Sequence, residues 1–148
     1  MTRFYDLDEA NAAIPEVRTI LESLRDQRAE LIRLRDEVLA HDAAEETRGE
    51  GRSDDARSDA PTEAKIDNDV RVLRLRMQGV IDRMQAGVVR IDELGITLRE
   101  IETGLIDFPA LASGRQIWLC WRLGEDDIDW WHGVDEGFAG RRRLADLV

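Results

Sequence analysis

One cysteine, Cys120, stands among 148 residues. The chain therefore cannot form an internal disulfide, and it fits a reducing compartment. Lysine is as scarce: Lys65 is the only one among 21 basic residues. That skew reads as composition rather than mechanism, because arginine far from a site does nothing that lysine could not. No stretch approaches the ~18 apolar residues of a membrane span, and the opening MTRFYDLDEA has no apolar leader segment. A cytoplasmic, soluble protein without a membrane partner is expected. Positive charge is also lacking: the net charge is −11, which repels phosphate backbones and argues against nucleic acid as a partner. Aromatic residues make up only 5 % of the chain. All four tryptophans nevertheless fall between Trp118 and His132, together with Cys120, and a cluster of that kind marks a tight core or a binding surface.

The length suits a single domain able to bury a core without disulfide or metal. Phe4 and Tyr5 read as a short edge strand or a hydrophobic staple. Asp6 and Glu9 have the spacing of a capping box. A first helix over residues 1–40 follows, with Pro15 predicting a kink or restart. Its stripe is Val17, Leu21, Leu24, Leu31 and Val38, interrupted by Arg28 and Arg35. Residues 41–63 carry no apolar side chain larger than alanine and predict a mobile acidic connector. A second helix, 64–94, bears Ile66, Val70, Leu73, Met77, Val80, Met84 and Ile91. Gly79 and Gly87, one face apart, predict a close backbone approach, and Gly95 a left-handed cap. Two helices of this length outsize the remaining chain. The surplus apolar positions Ile20, Leu34, Leu75, Ile81 and Val89 thus predict a homodimer through the helices.

From residue 95 to 148 the period changes to two. Residues 96–101 and 105–108 form a hairpin around Glu102–Thr103–Gly104, with Pro109 ending the second strand. Arg115 to Leu123 is the strongest strand. Pairing Leu123 with Ile128 across Gly124–Asp127 sets Trp121 opposite Trp130, Cys120 opposite Trp131, and Arg122 opposite Asp129 as an ion pair. Trp118 and Trp131 then share the face away from the aliphatic side chains. The expected fold is α+β: a long antiparallel helical hairpin followed by a small antiparallel β-sheet of β-hairpins.

Four segments, FYDLDEANAAIPEVR, ETGLIDFPAL, WLCWRLGE and WWHGVDEGFAGR, run in order along the chain. In them the sequence resembles the bacterial and archaeal family catalogued as domain of unknown function 2203. The likeness covers nearly everything outside residues 41–63. It implies a family and a length, with no activity or catalytic residue attached.

Three constellations could carry chemistry. The first is a polar set of Glu102, Asp107, Arg122, His132, Glu136 and Arg141. Within it His132 and Glu136 are four apart, with Glu102 and Asp107 available from the preceding hairpin to complete a metal site. Gly133 and Gly137 argue against a helix there, and a structural histidine at a strand end is the competing reading. The second, Gly137 to Arg141, is a glycine loop able to hold an anion beside Arg141, Arg142 and Arg143. Its competitor is a tight turn with Phe138 in the core and a solvated basic tail. The third is a platform of Trp118, Trp131, Cys120 and the Arg122–Asp129 pair, suited to a flat ligand or a protein partner unless loop 109–115 buries it. Cys120 is not a candidate nucleophile, since no histidine is placed in sequence to activate it.

Two functions are carried forward, and the sequence does not decide whether the protein is an enzyme. The first is a binding or interaction module whose ligand candidates are Trp118, Arg122, Trp131, His132, Glu136 and Arg141. The alternative is a small metal-assisted hydrolase or lyase using a divalent metal on Glu102, Asp107, His132 and Glu136.

Overall fold

A computed structural model describes residues 3–50 and 60–147. Two long helices, α1 (Leu7–Glu50) and α2 (Ala60–Glu93), precede a five-stranded antiparallel sheet. The strands are β1 (Thr97–Glu100), β2 (Leu105–Ala112), β3 (Arg115–Arg122), β4 (Trp130–Gly133) and β5 (Arg142–Arg143), and they pair in chain order. The α+β hairpin-and-sheet architecture is the one the periodicities predict. By contacts the chain divides into two compact units, residues 1–26 with 84–148, and residues 27–83.

The first unit holds the sheet and the ends of the helices nearest it. Asp6 caps α1: its Oδ1 accepts the Glu9 amide at 2.7 Å, holding the Asp6 carboxyl below its ordinary value through that bond. The Ala10, Ile14, Val17, Leu21 and Leu24 stripe meets Ile91 and Ile96, and below them one face of the sheet: Ile106, Phe108, Ala110, Ile117, Leu119 and Trp121. A Cβ on Gly87 would lie 3.1 Å from the Leu24 side chain, so glycine there admits a side chain and not the backbone expected; Gly79 has nothing within 4 Å, and the expectation fails there outright. α2 ends in a Schellman arrangement, with Gly95 at φ +75°. The Ile96 amide reaches the Ile91 carbonyl at 3.2 Å and the Gly95 amide that of Asp92 at 2.9 Å. Tyr5 is buried, with its ring edge-on to Phe108 and its hydroxyl donating to the Leu94 carbonyl.

In the second unit Leu34, Val38, Leu73 and Val80 are buried, and Arg83 faces Glu30 at 3.9 Å. Of the five surplus positions, Leu34 is thus buried and Ile20 packs against the first unit's core, while Leu75, Ile81 and Val89 are exposed.

Several sequence expectations are corrected. The helices reach into the 41–63 stretch, α1 to Glu50 and α2 from Ala60. Alanine, glutamate and arginine there are strong helix formers even without an apolar stripe; residues 51–59 lie outside the described ones. α1 passes Pro15 without restarting. β2 runs through Pro109 to Ala112. The Pro109 carbonyl accepts the Tyr5 amide at 2.7 Å, so its nitrogen faces the same side as that carbonyl, away from β3, where no ladder donor is missed. A two-residue turn joins β2 to β3, Ser113 and Gly114 both having positive φ, as a type I′ turn requires.

The β3–β4 register also differs from the sequence expectation by one residue. Cys120 pairs with Trp130 and Leu119 with Trp131. Ile128 leaves the ladder because it is buried in the core with its amide on the Asn11 side chain at 2.8 Å. The Trp121 indole N–H also holds the loop, at the Asp126 carbonyl, 2.9 Å away. Asp129 therefore never meets Arg122. A slip of one residue exchanges the faces of every side chain on the strand: Trp131 turns to the helix-facing side with Leu119, and Trp130 to the far face with Cys120.

Candidate metal centre

The site lies on the sheet face turned away from the helices. Cross-strand pairing of Asp107 with Cys120 puts a carboxylate beside a thiol on that face, and His132, paired with Trp118, is their diagonal neighbour. Asp107 and His132 are each 2 % exposed and Cys120 1 %. One ligand atom from each, a carboxylate oxygen, a ring nitrogen and the sulfur, all lie within 4.8 Å of one another. Asp107 and His132 are the only buried polar or charged residues among those described.

The hydrogen bonding of His132 is informative. Its Nδ1 lies 3.0 Å from the Gly133 carbonyl, and its Nε2 lies 3.0 Å from Asp107 Oδ1. A carbonyl oxygen only accepts, so Nδ1 carries a proton. In a neutral ring that leaves the Nε2 lone pair facing a carboxylate oxygen, and two acceptors in contact need a proton or a cation between them. A backbone carbonyl on one ring nitrogen is the usual device for presenting the other to a metal. The second Asp107 oxygen, Oδ2, accepts Arg99 Nε at 2.8 Å. Burial, reinforced by the Asp107 charge, pushes the Cys120 thiol up to about 12. Cys120 is thus a neutral thiol next to the carboxylate, with no base left over on His132 to activate it as a nucleophile.

A cavity of about 280 Å³ opens over these residues. Its walls are Arg99, Leu105 and the segment from Val134 to Phe138. Arg99 sits where the β1–β2 register shifts, between Leu98 and Glu100. The bulge aims its side chain across Asp107, and the guanidinium lies over the Trp118 ring, 4.9 Å from its centre.

Of the sequence-predicted metal ligands, the structure brings Asp107 and His132 into direct contact and places Glu136 on the cavity wall, where Arg142 holds its Oε1 at 2.7 Å. The Val134–Gly137 stretch is a turn and not a helix, so the spacing of four is not what brings Glu136 near. Glu102 is exposed in the β1–β2 turn and does not line the cavity. Arg122 and Arg141 stand outside it as well. Arg122 stacks on Phe138 at 5.1 Å, and Arg141 donates through one Nη to both Glu125 oxygens at 2.8 and 2.7 Å.

Trp118 and Trp131, expected on one platform, occupy opposite faces, a direct consequence of the register. Each tryptophan has an arginine over its ring: Arg99 on Trp118, Arg18 on Trp121, Arg141 and Arg143 on Trp130, Arg142 on Trp131. A guanidinium is found over an aromatic face more often than a lysine ammonium and can also stack on it, so at these positions arginine has a structural purpose beyond composition. The last two arginines of the C-terminal basic run stay exposed to solvent, but the run is not a free tail. Arg142 and Arg143 form β5 on the edge of β4, and Phe138 is 39 % exposed between Arg122 and Arg141 instead of filling the core.

Sequence reasoning misses Arg99, and places Cys120 on the tryptophan platform instead of among the metal ligands. The Ser113–Gly114 turn is the signal that could reveal Cys120, because it alone sets the pairing of Asp107 with Cys120; the bulge that aims Arg99 leaves no sequence signal.

The family model for "Uncharacterized conserved protein (DUF2203)" matches residues 3–144. The chain belongs to this family. No curated protein and no solved structure matches it. In this member of the family the match spans β1 to β5 and hence all three clustered residues.

Proposed function

We propose that Asp107, Cys120 and His132 hold one divalent cation of zinc type, and that the cavity above it carries out metal-assisted hydrolysis or lyase chemistry. The observation that carries this reading is the convergence of three buried ligand atoms within 4.8 Å, with the His132 tautomer selected by Gly133. A thiolate, an imidazole and a carboxylate together suit zinc better than magnesium or calcium, whose sites are built of oxygen. Three protein ligands beneath an open cavity leave a coordination position for water, the pattern of catalytic rather than structural zinc. A bound cation would supply an activated water or polarise a substrate carbonyl there. The Trp-platform alternative has weaker support because its two rings are on opposite faces.

Metal analysis of protein purified without chelator tests the proposal. Close to one zinc per chain is expected, reduced by an order of magnitude or more in His132→Ala. Absence of stoichiometric metal, together with no thermal shift on adding Zn²⁺, Mn²⁺ or Mg²⁺, overturns it. The homodimer remains part of the proposal, supported by exposed Leu75, Ile81 and Val89; light scattering that gives a concentration-independent monomer rejects it.

A further inference from the structure

The geometry points to Arg99 as an oxoanion receptor, so that the substrate of the proposed centre is a small molecule ending in a carboxylate or phosphate. The inference rests on the metal reading for its charge balance, and on Arg99 itself for its recognition chemistry.

Arg99 is committed to the protein at one atom only, Nε, which donates to Asp107 Oδ2 at 2.8 Å. No hydrogen bond or ion pair engages its Nη groups among the described residues, yet the side chain lines the cavity and is 42 % exposed. Trp118 supports the guanidinium plane from one side. A guanidinium fixed at Nε and stacked on an aromatic face presents its remaining N–H groups as a preset fork, which matches a carboxylate or phosphate better than a point charge does.

Charge adds a second argument. In the metal-free chain Asp107 balances Arg99. Once Asp107 and the Cys120 thiolate ligate a divalent cation, their two negative charges are spent on it, and Arg99 is left with an unmatched positive charge at the cavity wall. Glu136 does not take its place, being held by Arg142 at 2.7 Å. Exposed Asp135 also lines the cavity, but no bond or ion pair links it to Arg99. An incoming anion fills that place. The cavity, at about 280 Å³, falls at or just below the low end of known ligand sites of roughly 300–1,000 Å³. Leu105 and Val134 supply an apolar wall for a short hydrocarbon body.

The test is calorimetric titration of inorganic phosphate and, separately, benzoate into wild type, Arg99→Gln and Arg99→Lys. Each protein is examined after chelator treatment and after loading with zinc, with zinc uptake measured first and independently. Wild type is expected to bind at least one of the two anions, more tightly when zinc-loaded. Arg99→Gln should weaken that binding at least tenfold while shifting zinc affinity much less, and Arg99→Lys should fall between. A preference for phosphate or for benzoate distinguishes the two sources of the oxoanion. Zinc uptake without anion binding, or anion binding unchanged in Arg99→Gln, overturns the inference and leaves the metal centre standing. Failure to take up zinc overturns the metal reading. In that case the titrations of metal-free protein still decide Arg99: binding that is lost in Arg99→Gln supports the receptor, and no binding removes it.

Discussion

Replacing Asp107 by asparagine keeps the shape of the side chain and removes its charge, which separates its two roles. In the metal-free protein the carboxylate is 2 % exposed, accepts from Arg99 at 2.8 Å and shares a proton with His132 Nε2 at 3.0 Å. Hydrogen bonds to a charged group contribute about 1.5–3 kcal/mol against about 0.5–1.5 for neutral ones, so each bond should lose about 1–1.5 kcal/mol. The Arg99 share is discounted because that guanidinium is 42 % exposed and solvent screens it. A net loss of about 2 kcal/mol is expected, or roughly 4–8 °C in a chain of this size. Zinc then provides the second measurement. At a hundredfold excess over its Kd a ligand adds about 2.7 kcal/mol to the stability of the folded state, which should raise the wild-type melting temperature by roughly 5–11 °C. The Asp107→Asn variant offers only a weak amide ligand, and the rise should nearly vanish. Calorimetric melts of both proteins, in chelator and in zinc, give all four values. A variant that melts with wild type in chelator and shows the same rise in zinc would refute both the buried bonds and the ligand assignment.

Three further outcomes follow from the packing. Trp121→Ala should cost about 3–5 kcal/mol, as for other fully buried large aromatics; urea unfolding should give well under half that for Trp118→Ala, and equal losses would contradict the assignment of the two rings to the buried and the half-buried face of β3. Gly104→Ala places a Cβ 2.4 Å from Leu123 at a residue with φ +67°. It should destabilise by about 1–3 kcal/mol through overpacking and backbone strain, and an unchanged urea midpoint would rule out the turn geometry. Burial raises the Tyr5 hydroxyl above its ordinary value of 10.0, with Glu9 and Glu16 adding and Arg3 and Arg90 opposing. The folded chain therefore keeps this proton after the unfolded chain has lost it. Stability is level with respect to this group below pH 10 and falls as pH rises beyond it, and Tyr5→Phe should flatten that decline in unfolding curves between about pH 9 and 11.

The helices, the change to a period of two at Gly95 and the Glu102–Gly104 turn can all be read from spacing, since burial of an apolar face leaves a direct imprint on sequence. Asp107 and His132 are visible as candidates for the same reason that misleads on Glu102: a carboxylate near a hairpin can be recognised, but which face it takes depends on register. Register at β4 is not legible because Ile128, an apolar residue next to a turn, looks like the first rung of a strand. Only Asn11, more than a hundred positions away in sequence, shows that its amide is engaged elsewhere. Cys120 is hidden on similar grounds. The Ser113–Gly114 turn pairs it with Asp107, but its histidine partner comes from β4, whose register no local pattern records.

The margins of the sheet offer little bare strand. β1 is four residues long and β5 only two, both of them arginines. Beyond the end of β1, the exposed flank of β2 is met at Pro109 by the backbone of Tyr5. A long bare strand is a template for a neighbouring chain, and short, charged or occupied margins deny it one. Without the Tyr5 backbone, the part of β2 beyond its pairing with β1 would be open at Pro109, in a strand rich in apolar side chains. Tyr5 thus occupies part of a flank that would otherwise be open to a neighbouring strand.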